Sequence, residues 1–127
     1  MKNIVLVMLG GGLGAGMRYG LSIAIQGFSP LLFPWPTFIV NIAGSIAIGL
    51  LWGVYQDTPW FAEWGRLLLI VGVCGGFTTF SAFSFEVYTY LLDGRIVLSL
   101  LYVVLSVILC VLGVWLGQRL ATSYPVG

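Results

Sequence analysis

Apolar residues in this chain run on instead of alternating with polar ones. Four such stretches, at about 4–25, 35–55, 64–92 and 96–121, are separated by short breaks and nearly exhaust the 127 residues. A helix needs about 20 mostly apolar residues to cross a bilayer. The pattern therefore predicts an all-α membrane protein with four transmembrane helices, forming one integral membrane domain over 1–127 with almost no soluble part. The segment QGFSPLLFPWP at 26–36 carries three prolines that part the first helix from the second. Gln56 and Asp57 close the second helix, a polar loop continues through Thr58, Pro59 and Glu63, and Asp93 with Gly94 form a turn before the fourth. Trp35, Trp52, Trp60, Trp64 and Trp115 fall near the predicted ends, as interfacial aromatic belts do.

Three of the helices show a second pattern at every fourth position. The first gives Gly10, Gly14, Arg18, Ser22 and Gln26, the second Thr37, Asn41, Ser45, Gly49 and Gly53, and the fourth Tyr102, Ser106, Cys110, Val114 and Gln118. Residues four apart share a helix face, so each cylinder carries one small or polar stripe that must meet protein or water. Small-xxx-small stripes often mean only close packing. Asn41 differs in kind, because an amide inside a membrane helix needs a partner and is a functional candidate.

The third helix reads CGGFTTFSAFSFE through its middle, with paired glycines followed by hydroxyl residues. That composition favours unwinding near 75–79, and backbone unwound at membrane depth must be buried in protein or line a wet cavity. Broken helices at the midplane build ion sites in several transporters. A continuous helix with a glycine-rich packing face is the alternative. Four polar stripes are more than one small bundle can hide, which points to self-association. With both termini on one side, Lys2, Arg66 and Arg119 stand against Arg95 and Arg18. So slight a bias lets the positive-inside rule act weakly, and insertion in both orientations becomes possible.

Composition narrows the chemistry. Hydrophobic residues make up 60% of the chain and charged ones 7%, against roughly a quarter charged in a soluble domain. The apolar start is read as a retained helix and not a cleaved signal peptide, since it continues past Arg18 without a polar spacer. Cys74 and Cys110 lie within apolar segments, where a free thiol acts as a small hydrophobe. Histidine is absent, which removes the commonest general base and metal ligand. Gly10, Gly12 and Ala15 fit a dinucleotide fingerprint, but no acidic residue occurs before Asp57, where that motif needs one about 20 positions on. No catalytic residues, and no nucleic-acid partner, are expected.

Two transport readings compete. Glu86 is the one acidic residue well inside a membrane segment, and it suits a small proton-coupled exporter that trades protons for a cation. The rival is a passive anion pathway. Phe80 and Phe83 are one turn apart among Thr79, Ser81 and Ser84; ring edges carry partial positive charge and hydroxyls donate hydrogen bonds, so together they can replace water around a small hard anion. A phenylalanine pair at that spacing is also ordinary packing. A membrane scaffold without transport is a third class.

Three motifs extend the picture: GAGMRY at 14–19, PTFIVN at 36–41 and GGFTTFSAFSFE at 75–86. With them the whole chain resembles the Fluc (CrcB) fluoride channels of bacteria. The resemblance implies an antiparallel, dual-topology homodimer in the bacterial inner membrane, with two fluoride pores built from both chains and the bilayer as its other partner. It implies that Phe80 and Phe83 are pore-lining rings, that Asn41 is an amide donating to the ion, and that the carbonyls of Gly75 and Thr78 from both subunits hold a central structural Na+. The family's polar track on the fourth helix falls on Ser106, Cys110 and Val114, where this chain departs: a thiol donates weakly and valine not at all. Thr79, Ser81, Ser84 or Glu86 are candidates to complete the lining. Arg18 matches a basic residue near the end of the family's first helix, either drawing anions to a vestibule or tying helices together.

Overall fold

The computed structural model describes residues 1–27, 32–56 and 58–123. Among these the secondary structure is entirely helical: α1 (Lys2–Gln26), α2 (Trp35–Gln56), α3 (Pro59–Gly65), a π-helical segment (Arg66–Cys74), α4 (Gly75–Phe77), α5 (Phe80–Leu92) and α6 (Ile96–Ser123). Four spans are long and apolar enough to cross a membrane: Lys2–Gln26, Trp35–Gln56, Phe61–Leu92 and Ile96–Ser123. Part of the proline-bearing connection, at 28–31, and Asp57 lie outside the described residues.

The third span begins earlier than its hydrophobic pattern predicts. Pro59 occupies the first turn of α3, where a missing N–H costs nothing, and the Thr58 carbonyl accepts from the amides of Phe61 and Ala62 at 3.1 and 3.2 Å. Glu63, expected in a loop, is therefore helical and exposed. The π-helical stretch that follows was not legible in the sequence, because a run such as RLLLIVGVC has no composition that distinguishes it from an α-helix. At the far end of this span the chain turns tightly. Gly94 takes φ +72°, its amide donates to Leu91 O at 3.1 Å and the Arg95 amide to Tyr90 O at 2.8 Å, so the last carbonyls of α5 are satisfied before α6 begins.

Glycines fix how the spans approach. A methyl built on Gly10 would strike the Leu68 carbonyl, and one on Gly14 the Val73 carbonyl; Gly72 already lies against Gly10, and Gly76 against the Gly11 carbonyl. Rising residue numbers on α1 thus meet rising numbers on the third span, so the two run parallel. On the other side, Gly49 faces the Val114 carbonyl and Gly53 the Cβ of Ala121, while Gly117 on α6 returns the contact to Ile46 O. Hence α2 and α6 also run parallel to each other. The starts of α1 and α3 and the ends of α2 and α6 share one end of the bundle, which collects Lys2, Arg66 and Arg119. Gly10, Gly14, Gly49 and Gly53 belong to the stripes read from sequence; Gly113 and Gly117 form a further small face on α6.

Little of the molecule is interior. Phe38, Phe83 and Tyr102 form the core, with Phe33, Ile42, Val87, Tyr90 and Val103 packed around it. Large apolar side chains such as Leu13, Phe85, Val97, Leu101 and Trp115 remain exposed, as lipid-facing or partner-facing surfaces require.

The glycine contacts give the first prediction. Gly10→Ala forces α1 away from the π-helical segment, an overpacking cost of about 1–3 kcal/mol, and lowers the thermal midpoint of the detergent-solubilised protein. Gly12→Ala, where the added methyl meets nothing within 4 Å, leaves the midpoint at or above its wild-type value. Equal losses from both would show that the α1 crossing is not set by backbone approach.

Candidate functional site

The site is organised by two residues that are not helical. Thr78 (φ −79°, ψ 158°) and Thr79 (φ −149°, ψ 114°) are extended, joining α4 to α5 within the third span. Gly75 and Gly76 themselves are helical, so the departure from helix falls on the threonines. Both backbone groups of Thr79 are redirected to one side chain. The Thr79 amide donates to Asn41 Oδ1 at 2.8 Å, and Asn41 Nδ2 donates back to the Thr79 carbonyl at 3.1 Å. One side chain on α2 thereby does for Thr79 what a neighbouring strand would do. Thr79 also caps α5, its Oγ1 accepting from the Ala82 amide at 3.2 Å. Thr78 Oγ1 and the Thr78 amide both donate to Cys74 O, at 2.9 and 3.0 Å.

These detours leave carbonyls without their usual helical donors. In an α-helix the Thr79 amide would serve Gly75 O and the Ala82 amide would serve Thr78 O; here they bond to Asn41 and to Thr79 Oγ1 instead. Gly76 O receives a different donor, Arg18 Nε at 3.2 Å. Arg18 thus ties α1 to the turn just before the extended pair, which accords with the helix-tying role among the two considered for it.

Two cavities flank Thr79, which lines both. The first, about 370 Å³, is bordered by Arg18, Ser22 and Gln26 of α1, by Thr37 of α2 and by Glu86 and Tyr90 of α5. Its carboxylate is held by neutral hydroxyls on both oxygens: Thr37 Oγ1 donates to Oε1 at 2.7 Å and the Tyr102 hydroxyl to Oε2 at 2.7 Å. Tyr102 is fully buried, its ring edge-on to Phe83 with centroids 5.0 Å apart. The second cavity, about 340 Å³, is walled by Asn41, Ser45, Thr78, Thr79, Phe80, Phe83, Ser106, Cys110 and Val114. Phe80 and Phe83 have ring centroids 5.5 Å apart with planes at 46°. Ser106 is only 7% exposed, and its Oγ is the one buried side-chain polar atom without a hydrogen-bond partner among the described residues.

The sequence-predicted residues are therefore sorted into three places. Asn41, Thr79, Phe80, Phe83, Ser106 and Cys110 meet in the second cavity, with Thr78 beside them. Arg18 and Glu86 border the first. Ser81 and Ser84 lie on the exposed face of α5 and line neither cavity: Ser84 Oγ donates to Phe80 O at 2.9 Å, and Ser81 Oγ lies 3.4 Å from Thr79 Oγ1. Gly75 is exposed as well.

The chain matches the family model for CrcB-like proteins, named for camphor resistance, over residues 5–118. It belongs to the CrcB family. Curated relatives extend over nearly the whole chain. The fluoride-specific ion channel FluC of Flavobacterium psychrophilum is 40% identical over 121 residues, 95% of this chain and 98% of that one. The FluC of Hyphomonas neptunium is 44% identical over 125 residues, 94% and 98% of the two chains, and that of Paramagnetospirillum magneticum 46% over 125 residues, 96% and 97%. As a CrcB protein with four membrane-crossing helices, this is a multi-pass membrane protein.

Two site features escaped sequence reading. Tyr102 stood on the fourth helix's stripe, yet nothing in the chain order tied it to Glu86 sixteen residues before it. The Arg18 bond to a carbonyl 58 residues away depends on the α1 crossing.

The Asn41–Thr79 pairing is open to direct test. Asn41→Leu removes both bonds and leaves the Thr79 amide and carbonyl facing apolar surroundings, at about 1–3 kcal/mol for each orphaned group. The expected result is a markedly lower thermal midpoint, with faster amide exchange at Thr79. An unchanged midpoint would show that something else satisfies the extended step.

Proposed function

We propose that this chain is a fluoride-specific passive channel, acting in the bacterial inner membrane as an antiparallel, dual-topology homodimer with two pores, and that it lowers cytoplasmic fluoride. The observation that carries this reading is the second cavity: two phenylalanine rings, the Asn41 amide and the unpartnered Ser106 hydroxyl on one wall system, with no cationic side chain among them. Fluoride is small and tightly hydrated, so a pore must replace its water with donors along the way. Asn41 has a second Nδ2 hydrogen after bonding Thr79, Ser106 has an unspent O–H, and ring edges supply partial positive charge. Neutral donors bind a hard anion without trapping it. The relatives in Flavobacterium, Hyphomonas and Paramagnetospirillum are named for the same substrate.

The need for a second copy follows from the same residues. Phe80 is 79% exposed although it borders the cavity, so a single chain leaves that wall half built. The carbonyls of Gly75 and Thr78, freed of their helical donors, are the right chemistry for a hard cation. One chain contributes two of them, and a second copy related by a two-fold rotation would double the set around a central Na+. When bound, that ion supplies positive charge to the junction and compensates carbonyls that lipid cannot satisfy. The chain's own residues do the transport. Arg18 steers anions into the first cavity while anchoring Gly76 O, and Thr37 and Tyr102 hold the Glu86 carboxylate aside by its two oxygens. The membrane potential, worth about 2.3 kcal/mol per charge for each 100 mV, drives the anion outward without proton coupling.

Liposomes loaded with fluoride and followed with a fluoride electrode test this reading. The expected result is a fluoride efflux that needs only a counter-ion path, excludes chloride and vanishes in Phe80→Ile. Comparable chloride flux would defeat the claim of specificity. An exporter using Glu86 would instead move its substrate only under a proton gradient and stop in Glu86→Gln.

A further inference from the structure

We propose that Cys110 is a modification site for small uncharged thiol-directed electrophiles, and that an adduct there closes the fluoride path. The inference rests on the channel reading above.

The chain has two cysteines, and the fold separates them by reach. Cys74 is 3% exposed at the end of the π-helical segment, where its carbonyl is engaged by Thr78. Cys110 is half-buried, lines the 340 Å³ cavity and has no hydrogen-bond partner among the described residues. It lies one helical turn after Ser106 on the same face of α6, so the two side chains stand one above the other. The buried, partnerless Oγ of Ser106 is the second observation: a donor held in that condition marks a place that takes a guest, whether water or an anion. A guest that reaches Ser106 passes a wall that includes the Cys110 thiol. A small neutral electrophile can make the same approach into a cavity of about 340 Å³.

Methyl methanethiosulfonate illustrates the chemistry. The Cys110 sulfur attacks the reagent's methylthio sulfur, the bond from that sulfur to the sulfonyl group breaks, and methanesulfinate departs with the electron pair while the thiol proton passes to solvent. The product is a mixed disulfide bearing one methylthio group. It replaces a weak S–H donor with a group that donates nothing and fills space in the cavity that Phe80 and Phe83 also line. Removing a donor to a dehydrating ion, and narrowing its path, lowers flux by roughly tenfold or more. The site is particular to this chain's thiol, because a hydroxyl at the same position would be inert to the reagent.

The experiment treats the reconstituted full-length protein with methyl methanethiosulfonate, then measures fluoride efflux and maps adducts by peptide mass. Expected is one methylthio group per chain on Cys110 with none on Cys74, loss of efflux in wild type and in Cys74→Ser, recovery with dithiothreitol, and no inhibition in Cys110→Ser. Labelling at Cys74 alone, no labelling, complete Cys110 labelling with undiminished efflux, or equal inhibition of Cys110→Ser would each overturn the proposal. Absence of fluoride efflux before any reagent would instead defeat the channel reading, and with it the closure claim, while the mass map still decides whether the thiol is reached.

Discussion

Backbone amides and carbonyls cannot be left open inside a membrane, and the rest of this structure follows from how two of them are satisfied. Thr79 is extended in the middle of a span, and the Asn41 side chain closes both of its hydrogen bonds. Because Asn41 is on α2, that pairing fixes α2 against the third span at the depth where the chain departs from helix. Because Thr79 also caps α5, the same contact sets the direction in which α5 starts and hence where Phe80 and Phe83 point. Satisfying one pair of groups releases others: Gly75 O and Thr78 O lose their helical donors, and Gly76 O takes Arg18. Asn41, Arg18 and the Thr79 hydroxyl gather at this step, where the backbone departs from helix within a span.

Close helix packing determines which side chains can join it. The Gly10 and Gly14 contacts bring α1 onto the π-helical segment near enough for Arg18 to reach Gly76 O. Gly49 and Gly117 press α2 and α6 together, which holds Ser106 and Cys110 opposite Asn41 and Ser45. Larger residues at those crossings would separate the helices and take the donors out of register. Dispersion and close approach, not a hydrophobic force between helices, hold spans together in lipid. Glycine therefore contributes to function here by geometry alone.

The four spans were legible because a length of apolar sequence admits few other folds at this composition. The stripe on α2 was legible too, and its residues divide as physics suggests: polar Thr37, Asn41 and Ser45 at the cavities, Gly49 and Gly53 in packing. Other features were hidden for identifiable reasons. Of the break expected over 75–79, only Thr78 and Thr79 are extended: the Thr79 amide and carbonyl find Asn41, while Gly76 stays helical and packs against α1. Ser81 and Ser84 matched a hydroxyl-rich motif whose period places them on the outer face of α5, away from both cavities. The Thr37–Glu86–Tyr102 arrangement joins three spans, and no local pattern in any one of them announces it.

On the channel reading proposed above, the distribution of charge accounts for discrimination among anions. A fixed cation in the second cavity would attract every halide and hold it, since Coulomb attraction in low dielectric is strong and tells ions apart poorly. Asn41, Ser106 and the ring edges of Phe80 and Phe83 are neutral, so each repays dehydration only in proportion to the strength of the hydrogen bond or contact it makes with the ion. The strongest acceptor gains most from such donors, and larger, softer halides gain least. Arg18 stays outside, bordering the first cavity, with one nitrogen spent on Gly76 O. Glu86 is tethered at both oxygens by the hydroxyls of Thr37 and Tyr102, which fix its carboxyl group in place. On the proposed channel reading, charge at the first cavity and neutral donors in the second make selection a matter of hydrogen-bond strength, and a weaker donor, as Cys110 is beside Ser106, acts on that selection.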